Sequence, residues 1–470
     1  MKKSKFLYTS ILTSSLMLGL TSCGGRQTLL FLNWGEYIDE TMIEAFEEKY
    51  NCSVQMDLGD SNEIFYSTVR SGTTCYDVVC PSDYMVEKMY SNGMLQEIDF
   101  SRLSLSGYNP NTEEGKSNIR EGVKSIIADM DTNLKAKDSN YEEGTIQNYF
   151  VPYLWGTWGI MYTTEKEGLE EAVSKNENQW ASLFDRTTLP SGTRVAMYNS
   201  YQHAYFAASR YFEHSTPLSR KYGNELPDSE LQKMKDLVSN MSYDAWGTDN
   251  IKKDIVAGNI DVGFMWTGDF LYYYCEEAAE RALNAYENGD VDRDGIADML
   301  NELCDSNDRV YEANGNSYTI GFDFFIPDDT VAFCDNLVIT KDATNVDLAY
   351  KFIDFMSSYS SSVALNDDGE EPNLDDLSEE DILSPAFTNT YYVCYDAWSN
   401  NVYDDLVGLA DPDMFEDVEE DGLYDAFYDY VTGLAFKKYY EKNSTKGEIL
   451  ATFTRDYIKH INTAFNNARS

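Results

Sequence analysis

The chain has 470 residues, of which 43% are hydrophobic and 14% aromatic, and its formal net charge is −45. This length allows two lobes with a large buried core, and the composition excludes an intrinsically disordered protein. The charge argues against nucleic acid and anionic lipid as ligands, because a polyanion would be repelled. It would draw cations toward the surface, although solubility alone also explains most of these charges.

The first 22 residues are typical of a cleaved export signal. Three lysines among the first five residues precede an apolar stretch, Phe6 to Leu20, that is too short for a membrane span. The tetrapeptide Leu20-Thr21-Ser22-Cys23 resembles a bacterial lipobox. That resemblance implies lipidation of Cys23 and attachment to the outer side of a bacterial membrane, at the cell surface or in the periplasm. The alternative is an ordinary secretory signal that ends in cysteine.

Seven further cysteines follow Cys23, and none of them forms a C-x-x-C pair. An odd number without such pairs fits neither a disulfide scaffold nor a structural zinc site. One or two disulfides are compatible with this pattern, but the pairing is left open.

The segment from Thr28 to about Phe100 alternates predicted strands and helices. Strands are predicted at 29–32, 53–56 and 76–80, each followed by a helical pattern. This order begins an open parallel sheet, in which ligands bind beyond the C-terminal ends of the strands. The loops at 33–37, 59–62 and 81–84 are therefore predicted to be walls of a binding site.

A second α/β unit is predicted to begin near Trp155. The pattern predicts strands at 158–162, 195–198 and 261–266, helices at 230–241 and 250–257, and a later strand and helix at 331–339 and 348–355.

Several short motifs along these segments carry a likeness to a known group. They are Asn33-Trp34-Gly35-Glu36-Tyr37, Asp60-Ser61-Asn62-Glu63, Tyr76 to Tyr84, Pro152 to Gly156, Trp180 to Phe184, Trp266-Thr267-Gly268-Asp269 and Phe333-Cys334-Asp335-Asn336-Leu337. In order and spacing they resemble the spermidine/putrescine-binding proteins of bacterial ABC transporters. The likeness covers most of the chain from 28 to about 400.

The resemblance implies an α/β fold of the type II periplasmic-binding-protein class, with a ligand cleft between two lobes. Lobe one would comprise 27–155 plus 332–400, and lobe two 156–331 plus 401–470, with an acidic insertion around 276–330. The implied function is capture of a polyamine by a monomeric, non-enzymatic lipoprotein that delivers it to an ABC permease. Such a protein needs no cofactor, and a lipid anchor would be its membrane contact.

A polyamine needs carboxylates for its ammonium groups and flat apolar walls for its methylenes, and aromatic rings add cation–π attraction. By resemblance, the aromatic walls would be Trp34, Tyr37, Tyr84, Trp266, Phe333 and Tyr395. The anions would be Glu36, Asp269 and Asp335, with Ser82 as a neutral hydrogen-bond partner. Asp335 lies within the apolar run 331–339, where a carboxylate must be paired or line a cleft. For each aromatic residue, core packing is the alternative.

The pattern departs from the family at one place. After a predicted strand, where family members usually have two acidic residues, this chain has Asn199-Ser200 and then His203. The motifs at 266–269 and 333–335 resemble those of the putrescine-type members more closely, which favours putrescine. The three remaining acids could serve a diamine or a triamine, so spermidine is not excluded. A protonated His203 would oppose a third ammonium group.

A segment within the insertion matches a calcium-binding loop. Oxygen-bearing side chains stand at loop positions 1, 3, 5 and 9, with glycine at position 6. The candidate ligands of a structural Ca²⁺ are Asp290, Asp292, Asp294 and Asp298. Position 12 is Asn301, where such loops have glutamate, and the alternative is an acidic turn.

The sequence leaves three alternative functions. An enzyme is poorly supported, since the chain has three histidines and no nucleophile-elbow, zinc-protease, P-loop or dinucleotide motif. The same fold could bind a sugar, a cationic amino acid or a metal ion, but the predicted loops hold three acids and no arginine or lysine, which favours an amine. A surface lipoprotein without a transport role is the third alternative.

Overall fold

The structure, a computed structural model, describes residues 26–35, 37–38, 40–103, 108–117, 119, 121–215, 227–248, 250–305, 309–357, 392–393, 415, 418–420, 422–435, 438–439 and 455–469. The predicted export signal with Cys23 and the predicted site residues Glu36 and Tyr395 lie outside this part of the chain.

The N-terminal part forms the β-α-β-α-β unit that the sequence predicts. Its elements are β1 (Thr28–Asn33), α1 (Glu40–Tyr50), β2 (Ser53–Leu58), α2 (Asn62–Ser71), β3 (Val78–Val79) and α3 (Asp83–Ser91). β1 pairs in parallel with β2 and with β3, so these strands end at the same edge of the sheet. α2 begins where Ser61 Oγ accepts a hydrogen bond from the Ile64 amide at 3.3 Å, and it ends at Gly72, whose φ of 65° suits glycine.

A long strand follows a helical stretch. The helices are α4 (Glu113–Ser117) and α5 (Glu121–Lys137), with 3₁₀ turns at Phe100–Arg102 and Thr145–Tyr149. The strand is β4 (Val151–Thr163), and every one of its residues is buried. The sequence predicted only 158–162, because a fully buried strand shows a continuous apolar run without alternation.

The next elements build the second half of the sheet. The strands are β5 (Val195–Tyr198), β6 (Ala245–Gly247) and β7 (Val262–Trp266), and the helices are α6 (Leu169–Ser174), α7 (Ala181–Phe184), α8 (Tyr201–Ser215), α9 (Asp228–Met241), α10 (Asn250–Val256) and α11 (Thr267–Glu287), with a 3₁₀ turn at Arg186–Thr188. The predicted strands at 195–198 and 261–266 and the two predicted helices are thus confirmed to within one or two residues at each end.

The segment after α11 covers much of the predicted acidic insertion around 276–330, whose bounds stay a prediction. It contains α12 (Arg293–Asp305), the hairpin β8 (Val310–Ala313) with β9 (Asn316–Thr319), and β10 (Phe322–Phe325), which pairs antiparallel with β4. Two helices near the C-terminus, Leu423–Ala435 and Arg455–Arg469, pack on α11 and on α8 and α9 respectively. Among the described helices, none has the length and apolar character needed to span a bilayer.

Two strands join the halves of the sheet. β11 (Ala332–Ile339) pairs antiparallel with β3 at one end and with β4 along the rest, while β4 continues into pairing with β7. The strand order is β2-β1-β3-β11-β4-β7-β5-β6, with β10 and the short β12 (Tyr392–Val393) also on β4. β11 then leads into α13 (Val346–Met356). The boundaries of the two lobes stay predictions.

The described cysteines are all free thiols, and most of them are buried: Cys52, Cys75, Cys80, Cys275, Cys304 and Cys334. No disulfide therefore constrains the part of the chain that the structure describes.

A buried aspartate ties the N-terminal strands to α13. Asp77 is fully buried, and its Oδ2 accepts a hydrogen bond from the Leu30 amide at 3.0 Å. Its Oδ1 accepts from the amides of Thr344 and Asn345 at 2.8 and 2.7 Å, just before α13 begins. Thr344 and Asn345 directly precede the first turn of α13, where the amides have no acceptor within the helix, so the carboxylate supplies one.

We expect Asp77→Ala to lower the free energy of unfolding by about 3–5 kcal/mol, because it removes the acceptor of three part-buried backbone amides at once. Urea unfolding monitored by circular dichroism measures this change. The matched control is Asp347→Ala, which removes an exposed ion pair with Arg102 and should cost below about 1 kcal/mol. Equal losses for both variants would contradict the role of Asp77.

Candidate functional site

A cavity of about 100 Å³ lies where the two halves of the sheet meet. The loops after β1, β2 and β3 form one side, and β5, β7 and the starts of α8 and α11 form the other, with β4 and β11 between them. Its lining residues are Trp34, Gly35, Tyr37, Asp60, Ser61, Asn62, Ser82, Tyr84, Trp158, Tyr198, His203, Trp266, Asp269, Phe333 and Asp335.

The carboxylate of Asp335 is the most deeply buried acid on this lining. The residue is 3% exposed, and it stands at an irregularity of β11, where the register against β4 shifts between Asp335 and Asn336. It accepts hydrogen bonds from Tyr37 Oη at 3.0 Å and from Ser82 Oγ at 2.6 Å. Burial raises the pKa of Asp335 to about 7, and the two hydrogen bonds only partly oppose this rise.

Asn62 fixes the direction in which the Ser82 hydroxyl donates. Its Nδ2 donates to Ser82 Oγ at 2.9 Å, and its Oδ1 accepts from the Ser82 amide at 3.0 Å. Because the amide group of Asn62 already occupies a lone pair of the hydroxyl, the hydroxyl proton of Ser82 points to Asp335. Asn62 thus positions Ser82. The sequence indicated Asn62 only as one residue of the predicted wall loop at 59–62, without this positioning role.

A second buried acid stands beside this group without lining the cavity. Asp83 is 1% exposed and accepts hydrogen bonds from the amides of Tyr84 at 2.6 Å and Cys334 at 2.8 Å, which fastens α3 to β11. Burial raises the pKa of Asp83 to about 8, and the nearby negative charges of Asp335 and Glu87 contribute to the rise. The ionisations of Asp83 and Asp335 are thus coupled, because the negative charge of one opposes that of the other.

Aromatic rings form the walls on both sides. On the first side, Trp34 packs on Phe65 with ring centroids 4.4 Å apart. Phe333 lies over Gly156, where a Cβ atom would approach the ring to 2.9 Å, so only glycine leaves room for it. On the second side, the rings of Tyr198 and Trp266 pack edge to face, with their centroids 4.4 Å apart.

His203 belongs to the second wall as a neutral group. Its ring lies 4.8 Å from that of Trp158, 5.1 Å from that of Tyr198 and 5.5 Å from that of Trp266. Burial among these rings lowers the pKa of His203 to about 3. It therefore adds no positive charge near neutral pH.

Asp269 is paired within the protein, which corrects the expectation that its charge is available to the ligand. It stands in the first turn of α11, and Lys252 Nζ on α10 donates to its Oδ1 at 2.5 Å. The side chains of Lys252 and Asp269 are 3% and 9% exposed. The expectation was wrong because Lys252 lies outside every predicted wall loop and reaches the site only through helix packing.

Most of the predicted site residues are brought together. Those that line the cavity are Trp34, Tyr37, Ser82, Tyr84, Trp266, Asp269, Phe333 and Asp335. Glu36 and Tyr395 lie outside the described residues. Sequence reasoning did not place Trp158 and Tyr198 at the site, although both lie on strands that it predicted, because an inward-facing aromatic residue on a buried strand looks like core.

The predicted calcium loop does not form. A helix begins at Arg293, so Asp294 and Asp298 lie one turn apart on α12 instead of within a loop. Asp290 accepts hydrogen bonds from Asn316 Nδ2 and Tyr318 Oη at 2.6 and 2.5 Å, and Asp292 Oδ1 accepts from the Gly295 amide. Among the described residues, no group of three or more histidine, cysteine or acidic side chains is placed to hold a metal ion.

Comparison with known proteins extends these findings. Residues 1–195 match the model of a family described as hypothetical lipoprotein (MG045 family). A putrescine/cadaverine-binding protein of Pseudomonas aeruginosa is 25% identical over 356 residues, which are 74% of this chain and 79% of the relative. The spermidine/putrescine-binding periplasmic protein of Escherichia coli is 26% identical over 262 residues, 54% of this chain and 63% of that protein.

Solved structures share the fold. The TpPotD lipoprotein of Treponema pallidum has a TM-score of 0.52 at 19% identity, covering 94% of this chain and 99% of its own. The spermidine/putrescine ABC transporter substrate-binding protein PotD of Streptococcus pneumoniae, solved with calcium and HEPES, has a TM-score of 0.50 at 18% identity, with coverages of 94% and 100%. The predicted type II periplasmic-binding-protein fold and the resemblance to polyamine-binding proteins are confirmed.

We expect the unliganded protein to be destabilised by the ionisation of Asp335. Its folded-state pKa of about 7 lies above the ordinary value of 3.8, so its contribution to stability is complete below pH 4 and is lost as the pH rises through 7. Relative to wild type, Asp335→Asn should gain about 2–4 kcal/mol in the free energy of unfolding between pH 4 and pH 8. Urea unfolding in amine-free buffer measures the gain.

The control for this pH series is Asp347→Asn, whose side chain is 92% exposed and whose difference from wild type should not change with pH. A pH-independent difference between Asp335→Asn and wild type would contradict the raised pKa.

Proposed function

We propose that this chain is an extracytoplasmic solute-binding protein that captures a polyamine and delivers it to an ABC import permease. The observation that carries the proposal is the Asp335 carboxylate, which is buried at the cavity between two neutral hydroxyl donors. A buried carboxylate without a countercharge is unfavourable by several kcal/mol, and an organic ammonium group removes that cost. The names of the relatives point to the same class of ligand.

The aromatic lining suits the alkyl part of such a ligand. Methylene groups gain van der Waals contact against flat rings, and each ring adds roughly 0.5–2 kcal/mol of cation–π attraction to an ammonium group. A micromolar affinity requires about −8 kcal/mol in total. One buried ion pair and several ring contacts are enough to supply it after the entropy of binding is subtracted.

Binding is coupled to closure because both sides of the cavity contribute. Trp34, Tyr37 and Ser82 come from the first side, and Tyr198 and Trp266 come from the second. An open cleft would leave Asp335 hydrated, and closing it empty would bury the charge. The ligand therefore favours the closed state by differential affinity, and the permease would bind that state.

The volume favours a short ligand. About 100 Å³ accommodates roughly seven to ten water-sized groups at about 10–15 Å³ each. That capacity suits a diamine such as putrescine better than an extended tetraamine such as spermine. Because His203 is neutral, it does not repel the ligand.

The location follows from the N-terminus. We assign Cys23 as a lipidated residue that holds a monomeric receptor at the outer face of a bacterial membrane, where it meets the permease. The chain would act without catalysis and without a cofactor.

Calorimetric titration of the purified lipoprotein in detergent should detect micromolar or tighter binding of putrescine, cadaverine or spermidine, and no binding of maltose. Asp335→Asn should weaken amine binding by about 100-fold or more, since it removes the buried countercharge. Asp347→Asn serves as the remote control and should bind as wild type does. Amine binding that survives Asp335→Asn at full strength would refute the proposed site.

Cys23→Ala should abolish incorporation of labelled fatty acid and release the protein from the membrane fraction. Metabolic labelling and cell fractionation in a bacterial host measure both effects. Replacement of Ser22 by alanine, which keeps a small residue before the cysteine, is the matched control and should leave lipidation in place. An unchanged label after Cys23→Ala would exclude this anchor.

A further inference from the structure

We propose that Lys252 is a specificity-determining residue that makes the second side of the cavity electrically neutral, so that the site ion-pairs one ammonium group of its ligand. The inference rests on the proposed function and narrows it: the ligand class is an alkylamine with one paired ammonium at Asp335 and a far end that need not be charged. An N-acylated diamine belongs to this class as well as putrescine itself.

The first observation is the position of the lysine. Lys252 is 3% exposed in the middle of α10, and its Nζ donates to Asp269 Oδ1 at 2.5 Å. Asp269 lines the cavity, so the carboxylate that would otherwise attract the far end of a diamine already has an ammonium partner within the protein. A ligand ammonium arriving there would meet a pair of zero net charge.

The second observation is the character of the surrounding wall. Trp158, Tyr198 and Trp266 are neutral, and His203 stays neutral because of burial. Asp60 also lines the cavity, but it is exposed to solvent, where water screens its charge. Among the lining residues that the structure describes on this second side, Asp269 is the acid, and it is already paired with Lys252, so a second ammonium would lose hydration without gaining an unpaired buried countercharge there.

The third observation concerns two ring nitrogens on the lining. Within the described part of the chain, Trp34 Nε1 and His203 Nδ1 are buried without a hydrogen-bond partner. Indole N–H is a donor only, and a protonated amine has no lone pair to accept from it. A ligand with an oxygen acceptor, such as an amide carbonyl, can satisfy the indole donor of Trp34, whereas an ammonium group cannot.

The test compares putrescine with N-acetylputrescine, which keeps one ammonium and replaces the other by a neutral amide. Calorimetric titration of the wild-type lipoprotein should give dissociation constants within about threefold of each other, because the far end is not ion-paired. Lys252→Met exposes the charge of Asp269 to the ligand. We expect this variant to prefer putrescine by about tenfold or more.

The double variant Lys252→Met/Asp269→Asn is the matched control. It removes both charges, so the ratio of the two dissociation constants should return to within about threefold. Because Lys252→Met leaves a buried acid unpaired, thermal unfolding with and without ligand establishes that each variant is folded. If Lys252→Met does not fold, the wild type and the double variant still test the ratio.

Two results would overturn the inference while the proposed function stands. One is a wild-type preference for putrescine of more than about tenfold, which would mean that a second ammonium is paired. The other is a folded Lys252→Met variant whose ratio equals that of wild type. If neither amine, nor cadaverine or spermidine, binds to the wild-type protein, the proposed function itself fails.

Discussion

The Asp335 carboxylate is buried against two hydroxyl groups, and the rest of the site is arranged around that charge. Hydrogen bonds from Tyr37 and Ser82 stabilise the anion without cancelling it, so burial still raises its pKa to about 7. Near neutral pH the group can be neutralised by a proton or by a cation. Ligand binding at the proposed site would therefore be linked to proton release, and a cation would bind most tightly at a pH where the carboxylate is already ionised.

The sheet explains why this charge can be held so deeply. β4 and β11 run between the two halves, and the irregular register of β11 at Asp335 lets its carboxylate meet Ser82 at the start of α3. Asp83, one residue further along α3, accepts the amide of Cys334 on β11. The strand that carries the anion is thus fixed by backbone contacts to the helix that carries its donor, which preorganises the site before a ligand arrives.

The sequence predicts those parts of the site that are encoded by neighbouring residues, and it does not predict contacts between residues that are far apart in the chain. The parallel unit was predictable because its strands and helix caps are local patterns, and Asp335 was predictable because a carboxylate within an apolar run needs a special environment. Lys252 was not, since one lysine in a short helix gives no sign of the acid it will meet. The prediction of a calcium loop was wrong because helix α12 begins within the motif and separates its acidic residues, which the spacing of those residues alone does not reveal.

Selectivity cannot come from the net charge, because a formal charge of −45 attracts every cation. Selectivity has to come from the difference between the hydration that a cation loses on entering the cavity and the contacts that it gains there. A hydrated magnesium ion prefers several oxygen ligands in near-octahedral geometry and gives up its water reluctantly, and it gains nothing from contact with an aromatic ring. An alkylammonium ion brings its own apolar surface, which the rings of Trp34, Tyr198 and Trp266 can cover. At the proposed site, the aromatic walls would favour an organic cation over an inorganic one, and the buried carboxylate of Asp335 would pair with its ammonium group.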